Sequence, residues 1–250
     1  MARAADAMTS CLIFFITALM ASSAWGLDLV KFTESDTNNV YSPCKDTTVQ
    51  WGDGFTFGIA FSNQKSDFFV KEVQYSPCDS RLSSLSSGRL SIFRPKVDQI
   101  SLLIINESNI DLSNPKLMVA FAGSKYAAIS YPHTVASSAH VITSFTLVLD
   151  FSKGRLQSLL WKSDDCSTCQ GTSAFVCLNK TDCAIPRQSC KTQGGKVDCS
   201  LSIQLSFSGS DKHDRVFNSW YEVSNLHQYS LYGLYSNLKD SLTSQYNKYF

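Results

Sequence analysis

The sequence is poor in histidine and carries none of the common catalytic signatures. It has four histidines in 250 residues. It contains no His-Glu-x-x-His zinc motif, no Gly-x-Ser-x-Gly nucleophile turn and no glycine-rich phosphate loop. These absences exclude the zinc proteases, α/β-hydrolases and P-loop nucleotidases that such motifs define. We therefore expect a protein without catalytic activity, cofactor or bound metal. An enzyme of another kind would have to assemble its acid and base from separate strands.

The sequence also has no excess of charge of one sign. It has 22 lysine and arginine residues against 21 aspartate and glutamate residues, and its formal net charge is +1. A nucleic-acid-binding domain carries a basic stripe, and none is visible here, so we expect no nucleic-acid partner. Attachment to an anionic membrane or to acidic pectin has no support either, although lysines scattered along the sequence could form a patch in the folded protein.

Long hydrophobic runs are absent beyond the first 26 residues. An apolar run spans Cys11–Met20, and small residues follow it, with Ala24 and Gly26 at the −3 and −1 positions before Leu27. This arrangement, with one arginine ahead of the apolar run, is typical of a secretory signal peptide. A transmembrane anchor needs about 18 or more apolar residues, and this run is shorter. We therefore predict a signal peptide over residues 1–26.

The C-terminal sequence shows no apolar tail for a lipid anchor and no ER-retention tetrapeptide. Since no later run is long enough to cross a bilayer, we expect no transmembrane anchoring. The predicted product is secreted and extracellular.

Cysteine is abundant, and its pattern favours disulfides. Removal of Cys11 with the signal peptide leaves eight cysteines, which are Cys44, Cys78, Cys166, Cys169, Cys177, Cys183, Cys190 and Cys199. An even number in an oxidising compartment predicts four disulfides. A hairpin between the two copies of Tyr-Ser-Pro-Cys would bring Cys44 close to Cys78, so we predict that these two pair. The other six can pair among themselves in many ways, which the sequence does not rank.

Two other uses of the disulfide-rich segment 166–199 have less support. Zinc would need a second close ligand pair after Cys166-Ser-Thr-Cys169, but the later spacings are irregular and contain no histidine. A thioredoxin-like motif should open a helix, whereas loop-forming residues follow Cys169. We expect a loop segment closed by disulfides.

Two Asn-x-Ser/Thr sequons are consistent with export, Asn106-Glu-Ser and Asn179-Lys-Thr. We predict glycosylation at both asparagines. The second lies among the cysteines, where a surface loop is expected.

Apolar and polar residues alternate with a period of two from Leu27 to about Val223. Val197–Phe207 alternates apolar and polar side chains, as an antiparallel strand does when one face lies in the core. Val49–Phe61 alternates large apolar and small residues, with Asp53 as the one interruption on the apolar face. The other predicted strands are Leu27–Phe32, Phe68–Tyr75, Leu90–Phe93, Ile100–Ile105, Lys116–Ala122, Tyr126–Ser130, Val141–Phe151, Leu156–Lys162 and Trp220–Val223.

Short strands without helical patterns between them predict a mainly β fold. We expect an antiparallel β-sandwich or jelly-roll-like domain over residues 27–225, with a hairpin turn at Gly154. Residues 226–250 differ, because Leu234, Leu238 and Leu242 recur every four residues and predict an amphipathic helix. We expect this helix to pack on the domain and cover a sheet or its edge, and a helix that binds a partner is the alternative.

Few polar clusters suggest chemistry. Asp211, His213 and Asp214 could bind a metal or exchange protons, but a solvated turn after a strand is the preferred interpretation. The adjacent carboxylates of Asp164 and Asp165 would point apart on a strand, so they do not suggest a glycosidase pair.

Aromatic side chains are the other candidates for binding. Trp51 and Trp161 fit the core better than a binding surface. Trp220 and Tyr221 sit at a predicted strand start, where neighbours face opposite sides, so one of the two is expected to be exposed and able to contact a ligand.

Two stretches within Cys166–Phe250 carry a family resemblance, SCKTQGGKVDCSLSIQLSFSGSDKH and NSWYEVSNLHQYSLYGLYSNLKDSLTSQYNKYF. Together with the cysteine spacing, they resemble the Expp proteins, a family of secreted plant proteins. The resemblance implies plant origin and secretion, and thus the apoplast or cell wall. That family has no assigned reaction, so the resemblance implies no catalytic residues.

The sequence therefore predicts a secreted, disulfide-stabilised extracellular module that binds a cell-wall glycan or an extracellular protein, or that has a structural role. One alternative is a cell-wall-acting hydrolase with its acid and base on separate strands. Another is an inhibitor-like interaction protein that presents the 166–199 loops.

Overall fold

The structure, a computed structural model, describes residues 36–78, 89–109, 116–124, 128–163, 166, 169, 174–178 and 180–227. The predicted signal peptide (1–26), the predicted strand Leu27–Phe32, Asp164, Asp165 and the sequon residue Asn179 lie outside the described residues. So does the predicted helix 226–250, apart from its first two residues.

The described residues form a mainly β fold with two main sheets. The first sheet has the strand order β4 (Arg89–Phe93), β1 (Phe57–Ser62), β6 (Leu117–Ala122) and β7 (Ala128–Ile129), and β8 (His133–Thr134) also pairs with β6. Its strand pairs are antiparallel.

The second sheet has the order β11 (Arg155–Ser163), β10 (Ser144–Ser152), β14 (Leu201–Gly209) and β5 (Ser101–Ile105). Strands β10 and β14 run parallel, and their outer neighbours are antiparallel to them. The two sheets form a sandwich-like arrangement, which confirms the predicted fold class. The parallel pair at the centre of the second sheet was not predicted.

Smaller elements complete the described fold. A three-stranded sheet has the order β12 (Val176–Leu178), β13 (Asp182–Pro186) and β9 (His140–Ile142), and β2 (Phe69–Val70) forms a hairpin with β3 (Val73–Gln74). The one α-helix of the described residues is α1 (Ser219–His227). The described part of the chain also has four 3₁₀ turns, at Lys65–Asp67, Glu107–Asn109, Arg187–Ser189 and Lys191–Gln193. None of the described helices has the length and apolar character needed to cross a membrane.

The core lies between the inward faces of the two sheets. Phe57 and Ile59 of β1 and Leu205 and Phe207 of β14 are fully buried there, as their alternation predicts. The ring of Phe151 lies 5.8 Å from that of Phe207, centroid to centroid. Burial of each such side chain contributes about 1.5–3 kcal/mol to folding, so this layer is the main source of stability.

The alternating segment Val49–Phe61 is not one strand, because β1 begins at Phe57. Residues 50–53 instead form a turn, in which the N–H of Asp53 donates to the carbonyl of Gln50 (3.2 Å). The N–H of Gln50 donates in return to Oδ2 of Asp53 (2.9 Å). Val49 and Phe55 are nevertheless buried. The alternating pattern therefore predicted the burial of these side chains correctly, but it predicted a strand that is longer than β1.

Three other strand predictions need correction. Phe68–Tyr75 is the β2–β3 hairpin, which turns at Lys71 with a φ of 56°. Val141–Phe151 is divided between β9 and β10, which belong to different sheets. Trp220–Val223 is not a strand, because it lies inside α1. The hairpin at Gly154 is confirmed, since Lys153 and Gly154 both have positive φ (48° and 74°), as a two-residue hairpin turn requires.

Four disulfides close the described chain. Cys44 is joined to Cys78, which is the pair that the sequence predicts. The other six close among themselves as Cys166–Cys177, Cys169–Cys183 and Cys190–Cys199. The sulfurs of Cys166, Cys169 and Cys183 lie close enough together to resemble a metal cluster. Because each is bonded to another sulfur, none is available as a thiolate ligand.

Candidate functional site

The polar segment Asp211–Asp214 forms a turn in which the Asp211 carboxylate has a structural role. Asp211 is 2 % exposed. Its Oδ1 accepts the N–H groups of His213 (2.7 Å) and Arg215 (2.9 Å), and its Oδ2 accepts the N–H of Trp51 (3.2 Å). The side chains of His213 and Asp214 are exposed. The turn interpretation is confirmed, and Asp211 joins this turn to the loop that contains Trp51.

Burial of Asp211 opposes its ionisation, but the three N–H donors outweigh that effect. The pKa of Asp211 therefore lies below its ordinary value of 3.8. A carboxylate held ionised by backbone donors is a poor proton donor near neutral pH. This electrostatic setting fits an anchor better than a catalytic acid.

Arg215 and Trp51 form a stacked pair beside this anchor. The guanidinium carbon of Arg215 lies 4.3 Å from the ring centroid of Trp51. Trp51 is half-buried and packs against the core, while Arg215 is exposed. Asp211 accepts the backbone N–H groups of both residues, which fixes the two backbone segments that carry the pair.

A second pair joins Arg94 to Tyr41, again at 4.3 Å from the guanidinium carbon to the ring centroid. Four hydrogen bonds fix the Arg94 guanidinium. Nη1 donates to the carbonyl of Val40 (2.6 Å) and to Oγ1 of Thr56 (2.9 Å). Nη2 donates to Asp36 Oδ2 (2.6 Å) and to the Asn38 carbonyl. Tyr41 itself is 68 % exposed. Its ring therefore rests on a rigid cation and presents its other surface to solvent.

Asp36 completes the support under Tyr41. Partial burial opposes its ionisation, but the hydrogen bond from Arg94 and those from the backbone N–H groups of Gly54 and Asn38 prevail. The pKa of Asp36 is therefore lower than the ordinary 3.8. The lowered pKa keeps Asp36 ionised near neutral pH, where it can pair with Arg94 at 2.6 Å.

The short loop Gln50–Gly54 connects the two pairs, because Trp51 belongs to it and Gly54 lies against the Arg94 guanidinium. We call the two pairs and this loop the aromatic–arginine site. A Cβ atom on Gly54 would lie 2.6 Å from the Arg94 guanidinium, so only glycine allows this approach. Asp53, which is 1 % exposed, anchors the loop by accepting the N–H and hydroxyl of Thr37. The site is thus built on two buried carboxylates, Asp53 and Asp211.

Three exposed basic residues lie on the turns next to the aromatic–arginine site. The N–H of Lys212 donates to the Val49 carbonyl (2.9 Å), and the N–H of Lys153 donates to Oγ of Ser210 (3.1 Å). Lys153, Lys212 and Arg215 are exposed, and Asp214 is the exposed acid in the same turn. The fold therefore assembles a locally basic surface from residues that are distant in sequence.

Trp220 and Tyr221 lie near this surface, but on a helix and not on a strand. The N–H of Gly52 donates to the carbonyl of Val97 (3.1 Å). The next residue, Asp98, accepts the N–H of Ser219 (2.9 Å), at which α1 begins. Tyr221 is 69 % exposed, and Trp220 is half-buried. One of the two is thus exposed, as expected. Tyr221 is exposed because it lies on the outer side of a helix, and not because neighbouring strand residues face opposite sides.

Half-buried His133 and buried Asp182 form a separate polar pair that interacts electrostatically. Among the described residues, His133 Nε2 and Asp182 Oδ1 are buried without a hydrogen-bond partner. Burial lowers the pKa of His133 below 6.5, and the Asp182 charge offsets part of this shift. The His133 ring packs edge-on against Phe145, at 4.4 Å between centroids. This apolar enclosure favours a neutral imidazole.

The residues that support the aromatic–arginine site could not be found by motif. Arg94, Arg215 and Asp53 stand in no recognisable pattern, and each acts through contacts with distant segments. One signal was available, because an aspartate that interrupts the apolar face of Val49–Phe61 must either break the strand or find buried donors. Asp53 does both.

The chain matches one family model, described as "Uncharacterised protein DDB_G0273449", over residues 8–139 and 132–245. No curated protein and no solved structure matches it. The family description assigns neither an activity nor a ligand, and it does not bear on the Expp resemblance, which stays a prediction. Since the two matches span most of the sequence, the chain belongs to the family described as Uncharacterised protein DDB_G0273449.

Proposed function

We propose that this protein is a secreted, non-catalytic binding module of the extracellular space, and that its aromatic–arginine site binds a carbohydrate polymer of the cell wall. The observation that carries the proposal is the exposed Tyr41 ring held against Arg94, close to the loop in which Arg215 is stacked on Trp51. Rings that are fixed in advance lose little conformational entropy on binding.

The proposed mode of binding is stacking combined with charge. The exposed surface of Tyr41 can lie against the apolar face of a sugar ring, and its hydroxyl can donate a hydrogen bond at the edge. Arg215, Lys153 and Lys212 would attract carboxylates, so we favour an acidic glycan over a neutral one. The polar groups below the surface are already occupied by structural hydrogen bonds, which supports binding and not turnover.

Export is part of the same proposal. Four disulfides are typical of proteins that fold in an oxidising compartment, and the apoplast or cell wall is the compartment that we propose. The N-terminal sequence of protein collected outside the cell should begin at or near Leu27. A retained Met1 on membrane-bound protein would contradict export.

Binding is tested with the secreted, disulfide-intact protein on an array of acidic and neutral wall polysaccharides. We expect retention on carboxylated polymers that weakens with added salt. Tyr41→Ala and Arg215→Ala should each weaken binding by about 1 kcal/mol or more, which is roughly fivefold. Tyr131→Ala is the matched control, because Tyr131 is 80 % exposed and belongs to another loop. Equal binding by all three variants would refute the assignment of the site.

The alternative function is a wall-acting hydrolase, and the His133–Asp182 pair is the observation that favours it. Its unpartnered Nε2 and Oδ1 atoms are the kind of buried groups that active sites retain. New reducing ends released from a wall polysaccharide by the wild type, and not by His133→Gln, would support this alternative. Turnover that depends on His213 would contradict the structural role of its turn.

A further inference from the structure

Among the described strands, β5 is the last strand on one side of the second sheet, and its exposed side chains are apolar. Strand β5 pairs with β14 on one side, and no described strand pairs with its other side. Leu102 and Ile104 point outward and are 46 % and 56 % exposed, while Leu103 and Ile105 face the core. A free strand edge beside apolar side chains is a site where another copy of the chain can add a strand. Secreted proteins that remain monomeric need some device that blocks such an edge.

The alternation of β5 continues into the sequon Asn106-Glu-Ser. Ile105 is buried, Asn106 is exposed and Glu107 is again buried. Asn106 therefore follows Leu102 and Ile104 on the outward face. Residues two apart in a strand are separated by about 7 Å, so a group attached to Asn106 would begin next to Ile104.

Glu107 fixes the orientation of this sequon. One of its carboxylate oxygens accepts the N–H and the hydroxyl of Thr192, and the other accepts the N–H of Cys199 (3.0 Å). These contacts fasten the middle residue of the sequon to the loop closed by Cys190–Cys199. With Glu107 held inside, the residues on either side of it are directed outward.

The outward residues are arranged so that the acceptor nitrogen is accessible. Oδ1 of Asn106 accepts the N–H and the hydroxyl of Ser108, both at 2.9 Å. Nδ2 of Asn106 donates no hydrogen bond to any described residue. The amide oxygen is thus occupied, while the nitrogen that would carry a sugar is free to be modified.

We propose that Asn106 carries an N-linked glycan that covers the outward apolar face of β5 and keeps the protein monomeric. In the transfer, the Asn106 Nδ2 forms a bond to the anomeric carbon of an oligosaccharide. The bond from that carbon to the pyrophosphate of a polyprenyl-diphosphate donor breaks, and the amide nitrogen loses one proton. The inference rests on the export that the proposed function includes, because the donor lies in the secretory compartment.

Occupancy is measured by peptide mass spectrometry of protein secreted from a glycosylating host. We expect a glycan on Asn106 in the wild type and its loss in Asn106→Gln and Ser108→Ala. Ser108→Thr preserves the sequon and should keep the glycan. Asn109→Gln is the matched control, since Asn109 is exposed in the same 3₁₀ turn but belongs to no sequon.

Shielding is measured by light scattering after enzymatic removal of the glycan from folded protein. The glycosylated protein should be monomeric, and the deglycosylated protein should shift to dimers or larger species. Ile104→Thr should restore the monomer after deglycosylation, because it removes the apolar contact and keeps a good strand former. Leu90→Thr is the matched control. Leu90 is equally exposed, at 56 %, but it lies on β4 of the other sheet, so this variant should still form dimers or larger species after deglycosylation.

The outcomes separate the two proposals. Exported protein with four disulfides and an unmodified Asn106 would overturn this inference and leave the proposed function intact. A deglycosylated protein that stays monomeric would overturn the shielding role in the same way. Retention of the chain inside the cell without disulfides would overturn both.

Discussion

Asp98 caps the helix that begins at Ser219, although 121 residues separate the two. Its Oδ1 accepts the backbone N–H groups of Asn218 and Ser219, each at 2.9 Å. The Ser219 hydroxyl in turn accepts the N–H of Phe207 (2.7 Å), so the start of α1 is fixed to β14 as well. The first N–H groups of a helix have no partner within it, and here a distant loop supplies one.

We predict that Asp98→Ala destabilises the protein by about 1–2 kcal/mol, the usual cost of losing a helix cap. Asp98→Asn should cost less, because the amide oxygen can still accept a hydrogen bond. The measurement is the free energy of unfolding in urea at neutral pH with the disulfides intact.

A backbone effect must be separated from the loss of the cap, because Asp98 has a positive φ of 61°. Asp214 has nearly the same φ, 60°, but its side chain is exposed and caps no helix. Asp214→Ala therefore measures the cost of alanine in the left-handed region alone. Equal losses for Asp98→Ala and Asp214→Ala would contradict the cap.

The cap explains why the sequence predicted a strand over Trp220–Val223. A nine-residue helix is marginal by itself, so its stability depends on tertiary contacts that no local pattern reveals. The strands with many residues in the core behave differently. Val197–Phe207 was predicted as a strand because every second side chain is apolar, and the structure forms β14 there from Leu201 to Gly209, with its start four residues later than predicted.

The candidate site was much less predictable than the sheets. Arg94 reaches Val40 and Asp36, which are 54 and 58 residues away. Trp51 was assigned to the core, and the structure shows it half-buried with Arg215 stacked on its ring. The disulfides were more predictable than the site and less predictable than the sheets. The Cys44–Cys78 pair was predicted correctly, but from a hairpin between the Val49–Phe61 and Phe68–Tyr75 segments that the structure does not contain, because β1 pairs with β4 and β6. The other three disulfides depend on loop geometry that spacing does not encode.

Asp211→Ala should be among the most destabilising single changes near the site. It would leave the N–H groups of Trp51 and Arg215 without their acceptor, at a cost of about 1–3 kcal/mol for each buried donor. Asp211→Asn keeps one oxygen acceptor and should be milder. His213→Ala is the control, since its side chain is exposed. The comparison is made by thermal unfolding, and similar melting temperatures for Asp211→Ala and His213→Ala would contradict the anchoring role.

The loss of stability on removing a disulfide should increase with the length of the loop that the disulfide closes. Chain-entropy estimates give about 4 kcal/mol for a closed loop of 34 residues and about 3 kcal/mol for one of 9 residues. Cys44→Ser with Cys78→Ser should therefore cost roughly 1 kcal/mol more than Cys190→Ser with Cys199→Ser. Urea unfolding of the two double variants measures the difference, and non-reducing peptide mapping of the wild type checks the pairing. A Cys44 or Cys78 peptide linked to the 166–199 segment would refute the structure's pairing.

Mild acid should lower the free energy of unfolding, because the unfolded chain binds a proton at His133 more readily than the folded protein does. Burial lowers the pKa of His133 in the folded protein, whereas the unfolded chain has a value of about 6.5. Between these two values the unfolded state binds more protons, so the free energy of unfolding falls as pH decreases. The full contribution is present above about pH 6.5 and is lost as pH drops toward the folded value.

Variants at His133 and Asp182 test this sign. His133→Gln should remove the slope of stability against pH just below about pH 6.5. Asp182→Asn should extend the loss to lower pH, because the Asp182 charge raises the pKa of His133 against the effect of burial. Asp36 and Asp211 add a separate loss below about pH 3.8, since both have lowered pKa values. The measurement is urea unfolding across this pH range. A slope that survives in His133→Gln would mean that another group titrates there.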